Sequence, residues 1–146
     1  MKRFKFYEIA GITLIVALTV FSGFSCVKAS DNAQLEGVSW VLKFYGQPGN
    51  LTNVLPSAEV TLIAEKANSH VSGSGGVNGY GGDFSVNGDK LTITNLIHTM
   101  IASTNQALNE QENTFFSILG SAQSFKINDD ELTITGTSGI LVMTQK

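Results

Sequence analysis

The residues able to do chemistry in this chain are few, and their spacing is the first thing to weigh. Its only cysteine is Cys26, and its only histidines are His70 and His98. Nucleophilic hydrolysis needs a nucleophile, a base to activate it and a third group to orient the base. Ser72, Ser74 and Asp83 lie near His70 in sequence, but neither serine sits in the G-x-S-x-G pattern that lifts a nucleophile onto a sharp strand-to-helix turn. The histidines therefore read as strand-surface residues, and no catalytic residue is assigned. Two isolated histidines make no zinc site, which takes four protein ligands or three plus water. Asp129, Asp130 and Glu131 are consecutive, whereas a calcium loop alternates its ligands; they read as a solvated turn.

The ten residues from Gly73 to Gly82 include six glycines. A dinucleotide loop would need glycine at position 78, where Asn78 stands, and a helix after it, where a strand pattern follows. The glycines are instead expected to mark bulges and tight turns, with Asn78 bonding a turn and Tyr80 packing beside them. No cofactor or metal is expected. Beyond residue 29 the chain has eleven carboxylates against five lysines and no arginine. Lys and Arg neutralisation dominates affinity for phosphate backbones, so nucleic acid is excluded as a partner.

The start of the chain has a different character. Lys2, Arg3 and Lys5 precede an apolar run from Ile9 to Phe24, interrupted by no charge and flanked by Glu8. Sixteen residues are short for a bilayer core of about 30 Å. A positive start, a short apolar run and small residues after it read as a secretory signal over residues 1–29. Two processing routes remain open. Val27-Lys28-Ala29 before Ser30 fits ordinary cleavage, while Cys26 at the end of the run is placed for lipidation, although Gly23-Phe24-Ser25 is a poor match to a lipoprotein box. Export permits disulfides, yet residues 30–146 hold no cysteine, so this one domain must stand on core burial alone.

Within it, Leu35 to Leu42 reads as an opening turn and first strand, Gly46 to Pro56 as loop, Glu59 to Glu65 as a strand, and His70 to Ser72 as the start of its partner. Phe84, Val86, Leu91 and Ile93 alternate around Asn87-Gly88, which predicts a hairpin with its turn at that dipeptide. Forty-one residues later Phe125, Ile127, Leu132 and Ile134 repeat the pattern F-x-[VI]-N-x-D-x-L-T-I-T around Asn128-Asp129. All eight side chains are predicted to be buried, because alternation puts them on one face. Between the hairpins the period changes. Leu108, Phe115, Leu119 and Ala122 predict an amphipathic helix over Asn105 to Ala122, capped by Ser103 or Thr104, with Glu110, Gln111 and Glu112 off its apolar face. Gly139 to Thr144 is the last strand. The predicted fold class is mostly β (α+β): an antiparallel sheet or partly open barrel with one amphipathic helix packed on it.

These residues carry a resemblance. Leu35, Gly37, Trp40 and Leu42 form an L-x-G-x-x-W-x-L opener; Gly73 to Gly82 contains Asn78 and Tyr80 in a G-x-x-G-C-N-x-Y-x-G block, with Val77 in place of cysteine; Leu91, Ile93, Thr99 and Met100 form a third block, with Ser103 in place of its cysteine; Glu112 and Phe115 match an E-x-x-F helix, and Leu132 to Ile134 the closing strand. From Leu35 to Met143 the chain resembles the META domain family. The resemblance implies an envelope protein, often a lipoprotein, of a family linked in part to stress or antibiotic tolerance and tied to no reaction. It singles out Asn78, Tyr80 and Thr99 as motif positions. It also implies that Val77 and Ser103 replace a cysteine pair and are neighbours, with Cα atoms within the usual disulfide range of about 4.4–6.8 Å. The expected function is that of a non-catalytic cell-envelope protein that binds an envelope protein or a small apolar ligand, held to the membrane if Cys26 is lipidated. The alternative is a hydrolase with an unrecognised Ser/His site.

Overall fold

The computed structural model describes residues 35–146; the signal segment and Cys26 lie outside them. Among these residues nine strands and one α-helix follow in chain order: β1 (Ser39–Gln47), β2 (Asn50–Asn53), β3 (Thr61–Glu65), β4 (His70–Ser74), β5 (Gly79–Asn87), β6 (Lys90–His98), α1 (Gln106–Gly120), β7 (Ala122–Asn128), β8 (Glu131–Gly136) and β9 (Gly139–Gln145), with a single 3₁₀ turn (Lys66–Asn68) between β3 and β4. Neighbouring strands pair antiparallel in the order β1-β3-β4-β5-β6-β7-β8-β9, and β9 pairs back onto β1. Eight strands thus close a barrel, while β2 hangs from the end of β1 as a short hairpin arm. Closure removes the free edges that an open sheet would expose.

The barrel has one thin seam. β6 and β7 share the single register pair Lys90↔Ser124, because α1 intervenes between them in sequence and takes the space beside the far end of β6. The His98 ring stacks on Phe116, with centroids 4.5 Å apart and planes at 10°, and Leu96 lies against Gly120. The helix continues across that end of the barrel, meeting Gly75 in the β4–β5 connection and Gly136 and Gly139 around the β8–β9 turn. Phe115, Ile118 and Leu119 are fully buried beneath it. At the opposite end Leu35 plugs the barrel among Leu62, Val71, Phe84, Leu91 and Ile134, and its carbonyl accepts a hydrogen bond from Trp40 Nε1 at 3.2 Å. The chain therefore enters the barrel at the pole away from α1.

Seven of the eight hairpin side chains are buried, and Val86 is half-buried against the core. Both turns fall one residue later than expected. Asn87 pairs with Lys90 and Asn128 with Glu131, so the central residues are Gly88-Asp89 and Asp129-Asp130. Gly88 at φ 64° and Asp129 at φ 51° take the left-handed position, a conformation at the first turn residue that favours Gly and tolerates Asp. Three further expectations are corrected. The stretch from Gly46 to Pro56 is not all loop, since β1 runs to Gln47 and β2 pairs with it around Pro48-Gly49. The helix ends at Gly120, and Ala122 belongs to β7. Asn105 caps the helix, its side chain accepting from the Ala107 N–H at 3.1 Å. Ser103 acts one step earlier, accepting from the Asn105 N–H.

Candidate functional site

The glycine-rich strands and the helix meet at one buried carboxylate. Glu112 lies one helical turn before Phe116, on the face that packs against the barrel, and is only 4% exposed. Its Oε1 accepts from the Val77 N–H at 3.0 Å and the Asn78 N–H at 2.6 Å, and its Oε2 accepts from Asn78 Nδ2 at 2.5 Å. Gly75 makes this approach feasible, because a Cβ there would stand 2.6 Å from both Glu112 Oε1 and the Phe116 ring. The expectation that Gln111 and Glu112 lie off the apolar face is therefore overturned. Both are buried, and Gln111 Oε1 accepts from the Leu55 N–H at 2.7 Å. Burying a polar group is costly unless its hydrogen bonds are made; the β4–β5 turn makes those of Glu112, whereas Gln111 Nε2 is buried without a hydrogen-bond partner among the described residues.

Asn78 passes the connection onward. Its Nδ2 also donates to the Ile101 carbonyl at 2.9 Å, while its Oδ1 accepts from Thr99 Oγ1 and from the Ile101 N–H, each at 2.7 Å. The four hydrogen bonds available to an asparagine amide are all formed. Two of the three motif positions, Asn78 and Thr99, are thus joined directly. The strand–helix connection from Thr99 to Asn105 is strapped to the β4–β5 turn by these bonds, and to the helix by Asn109, which accepts from the Ser103 N–H at 2.9 Å and donates to its carbonyl at 2.8 Å.

Tyr80, the third motif position, points inward. Its hydroxyl donates to the Thr61 carbonyl at 2.9 Å, and its ring meets Phe115 and Phe116 edge-on at 5.5 Å each. Burial pushes the phenol well above the usual tyrosine range, since the anion would lose its water. The folded state therefore holds this proton more tightly than the unfolded chain, whose tyrosines titrate near about 10. The stability linked to Tyr80 is present below that pH and is lost as pH rises beyond it. Urea titrations at pH 8 and pH 11 are expected to show a larger alkaline loss for the native chain than for Tyr80→Phe. The variant is expected to start lower at pH 8 by about 1 kcal/mol, the size of one lost hydrogen bond.

The strap carries its apolar side chains outward. Met100 is 93% exposed and Ile101 64%, and Ile97, near the end of β6, is 72% exposed. Beside them runs an open groove of about 660 Å³, floored by Gly73, Gly79 and Gly81 and bordered by Ser72, Ile97, His98 and Thr99. It continues past His98 and Thr99 into a second depression of about 340 Å³ edged by Met100, Ile101 and Asn113. The expected strand-surface histidines are on the surface: His98 against Phe116, and His70 with its Nδ1 3.9 Å from Asp83 Oδ1 across β4 and β5, both side chains in solvent. Ser72 shares the outward face of β4 with His70, but no hydrogen bond links its hydroxyl to that ring among the described residues, and the His–Asp separation exceeds hydrogen-bond length. The acidic run at 129–131 is a hairpin turn, and no group of three or more His, Cys, Asp or Glu converges among the described residues.

The family resemblance singled out Asn78, Tyr80 and Thr99 and matched Glu112 to the helix motif, but the burial of Glu112 and its bonds to Asn78 were not foreseen. The available signal was its spacing: residues 111 and 112 precede Phe115 and Phe116 by four, so they share a helix face. Polarity concealed it.

Val77 and Ser103 are held on successive turns of one helix, through Glu112 and Asn109. The double change Val77→Cys, Ser103→Cys is expected to form a disulfide under oxidising conditions and to raise stability by about 2–4 kcal/mol, less any strain. Mass measurement after thiol blocking checks the bond, and free thiols in the oxidised protein would refute the pairing.

Comparison with known proteins places this arrangement. The META domain family model matches residues 33–146. The chain is similar to a Burkholderia xenovorans protein solved by NMR, at TM-score 0.66 and 21% identity over 80% of this chain and 86% of that one. A second protein solved by NMR gives TM-score 0.61 and 23% identity over 77% and 92%. A duf4847 family protein from Bacteroides vulgatus gives 0.52 and 14% over 78% and 95%. These likenesses show the barrel fold. No curated protein matches.

Proposed function

Because the chain belongs to the META domain family, we propose that it works as a non-catalytic binding module of the cell envelope, presenting the face around Ile97, Met100 and Ile101 to an apolar segment of a partner protein. One observation carries the reading. The strap that bears Met100 and Ile101, next to Ile97 near the end of β6, is held by Asn78, which bonds both the N–H and the carbonyl of Ile101. A buried carboxylate and a fully bonded amide thus hold an apolar loop in water instead of letting it fold onto the core. Exposed apolar side chains held in a fixed geometry are what an interface uses, since preorganisation lowers the ordering cost of binding. The groove is wide and shallow, which suits a peptide segment better than a small molecule, whose sites are enclosed.

The signal segment and Cys26 complete the proposal: the chain is exported and anchored by a lipid on Cys26. Leu35 enters at the pole opposite α1, so such an anchor would leave the apolar face turned away from the membrane. Metabolic labelling with a palmitate analogue checks the anchor. Label lost in Cys26→Ala supports it, and label surviving that change overturns it. The docking face is tested with a photo-crosslinking residue at Ile101 and, as control, at Asp89 on the other pole. Discrete protein adducts from position 101 alone, abolished by Ile97→Asp, are expected; equal adducts from both positions, or none, would overturn the reading.

A further inference from the structure

We propose that Met100 is an oxidation site that switches this face from apolar to polar. The inference rests on the docking reading above and adds its control. Met100 and Met143 are the methionines of the described domain, and they occupy opposite environments: Met100 is 93% exposed near the start of the strap, whereas Met143 is fully buried in the barrel core. No cysteine occurs after residue 26, so no thiol on the domain competes for oxidant. The Met100 thioether is the one exposed sulfur among the described residues.

The reaction is an oxygen transfer from a peroxide. The sulfur lone pair attacks one oxygen of hydrogen peroxide, the S–O bond forms as the O–O bond breaks, and the departing hydroxide takes the proton from the sulfur-bound oxygen to leave as water. Methionine loses two electrons and hydrogen peroxide gains them. The sulfoxide is polar and chiral, and sulfoxide reductases can reverse it. A soft thioether suited to varied apolar contacts is thereby replaced by a group that needs hydrogen bonds. The strap itself is insulated from the change. Asn78 holds it by the Thr99 hydroxyl and the Ile101 N–H, the Thr99 N–H bonds the Gly79 carbonyl, and the Met100 side chain contributes nothing to the core cluster. Oxidation therefore alters the surface without loosening the barrel.

The test treats the full chain with hydrogen peroxide and follows each methionine by peptide mass mapping. Met100 sulfoxide is expected to form about tenfold faster than Met143 sulfoxide, because the buried residue reacts only when the structure opens. The thermal unfolding temperature should not change. Nile red fluorescence, read as the difference between treated and untreated protein, is expected to fall for the native chain, to recover with both sulfoxide reductases, and to stay level in Met100→Leu. Equal oxidation of the two methionines, or a fluorescence loss that persists in Met100→Leu, would overturn the proposal. A sulfoxide at Met100 without any fluorescence change would overturn it too, while leaving the docking face standing. Absent crosslinks from position 101 would instead remove the docking reading on which it depends.

Discussion

Glu112→Ala is expected to lower the unfolding free energy by about 3 kcal/mol or more, because two buried N–H donors and one half-buried one lose their acceptor and each unsatisfied buried donor costs about 1–3 kcal/mol. The donors are the backbone N–H groups of Val77 and Asn78 and the Asn78 side chain. Against a total of about 5–15 kcal/mol for a typical domain, this is a large fraction. The effect should also spread along the strap. Once Asn78 can rotate, its bonds to Ile101 weaken, and hydrogen exchange at the Ile101 amide should accelerate more than exchange in β8. Glu112→Gln discriminates between charge and shape. Its amide keeps the volume but offers only one acceptor oxygen, and its NH₂ faces donors on the other side. Asn78 cannot flip to compensate without turning its own NH₂ toward the Ile101 N–H. The glutamine variant is expected to retain the fold with a cost of about 1–3 kcal/mol. Urea titration by circular dichroism measures both variants, and a native midpoint in Glu112→Ala would show that water replaces the carboxylate at no cost.

Gly73→Ala is expected to be as damaging, at about 3 kcal/mol or more, the upper end for overpacked sites. The backbone conformation is not the obstacle. A Cβ at this position would stand 2.1 Å from the Thr61 carbonyl oxygen and 3.1 Å from the Tyr80 ring. Neither neighbour is free to retreat. The Thr61 carbonyl holds the Tyr80 hydroxyl, the Thr61 side chain accepts from the Ser74 N–H at 3.1 Å, and Tyr80 is wedged against Phe115 and Phe116. Relief requires β3 and β4 to separate, which uncouples the barrel wall from the helix. Gly49 is the control: it lies in the β1–β2 turn, where a Cβ would meet nothing within 4 Å. Its positive φ of 82° leaves only backbone strain for Gly49→Ala, about 1 kcal/mol. Thermal unfolding of the two variants side by side should rank them in that order, and equal losses would mean that the close approach at Gly73 relaxes locally.

Much of the barrel was legible because strand alternation is a local property. Phe84, Val86, Leu91 and Ile93, and their counterparts from Phe125 to Ile134, reveal the core face without knowledge of any partner strand. The hairpin turns slipped by one residue because Asn-Gly and Gly-Asp both accept a left-handed first position, and only the cross-strand register Asn87↔Lys90 chooses between them. The β2 arm was read as loop since its four residues are all exposed. A strand with no buried face has no alternation to detect.

The sequence by itself determined much of the core, the two hairpins and the helix between them, because residue type and short-range spacing suffice for each, while Asn78, Tyr80 and Thr99 were singled out only through the family resemblance. Closure was decided elsewhere, by the pairing of β9 with β1, elements a hundred residues apart whose register no local pattern encodes. The role of Glu112 was decided there as well. A glutamate on a helix reads as solvated until the β4–β5 turn brings two backbone N–H groups and an asparagine amide against it. The outward face of Met100 has the same origin, since an apolar residue reads as core unless a distant side chain pins its backbone where the core cannot be reached.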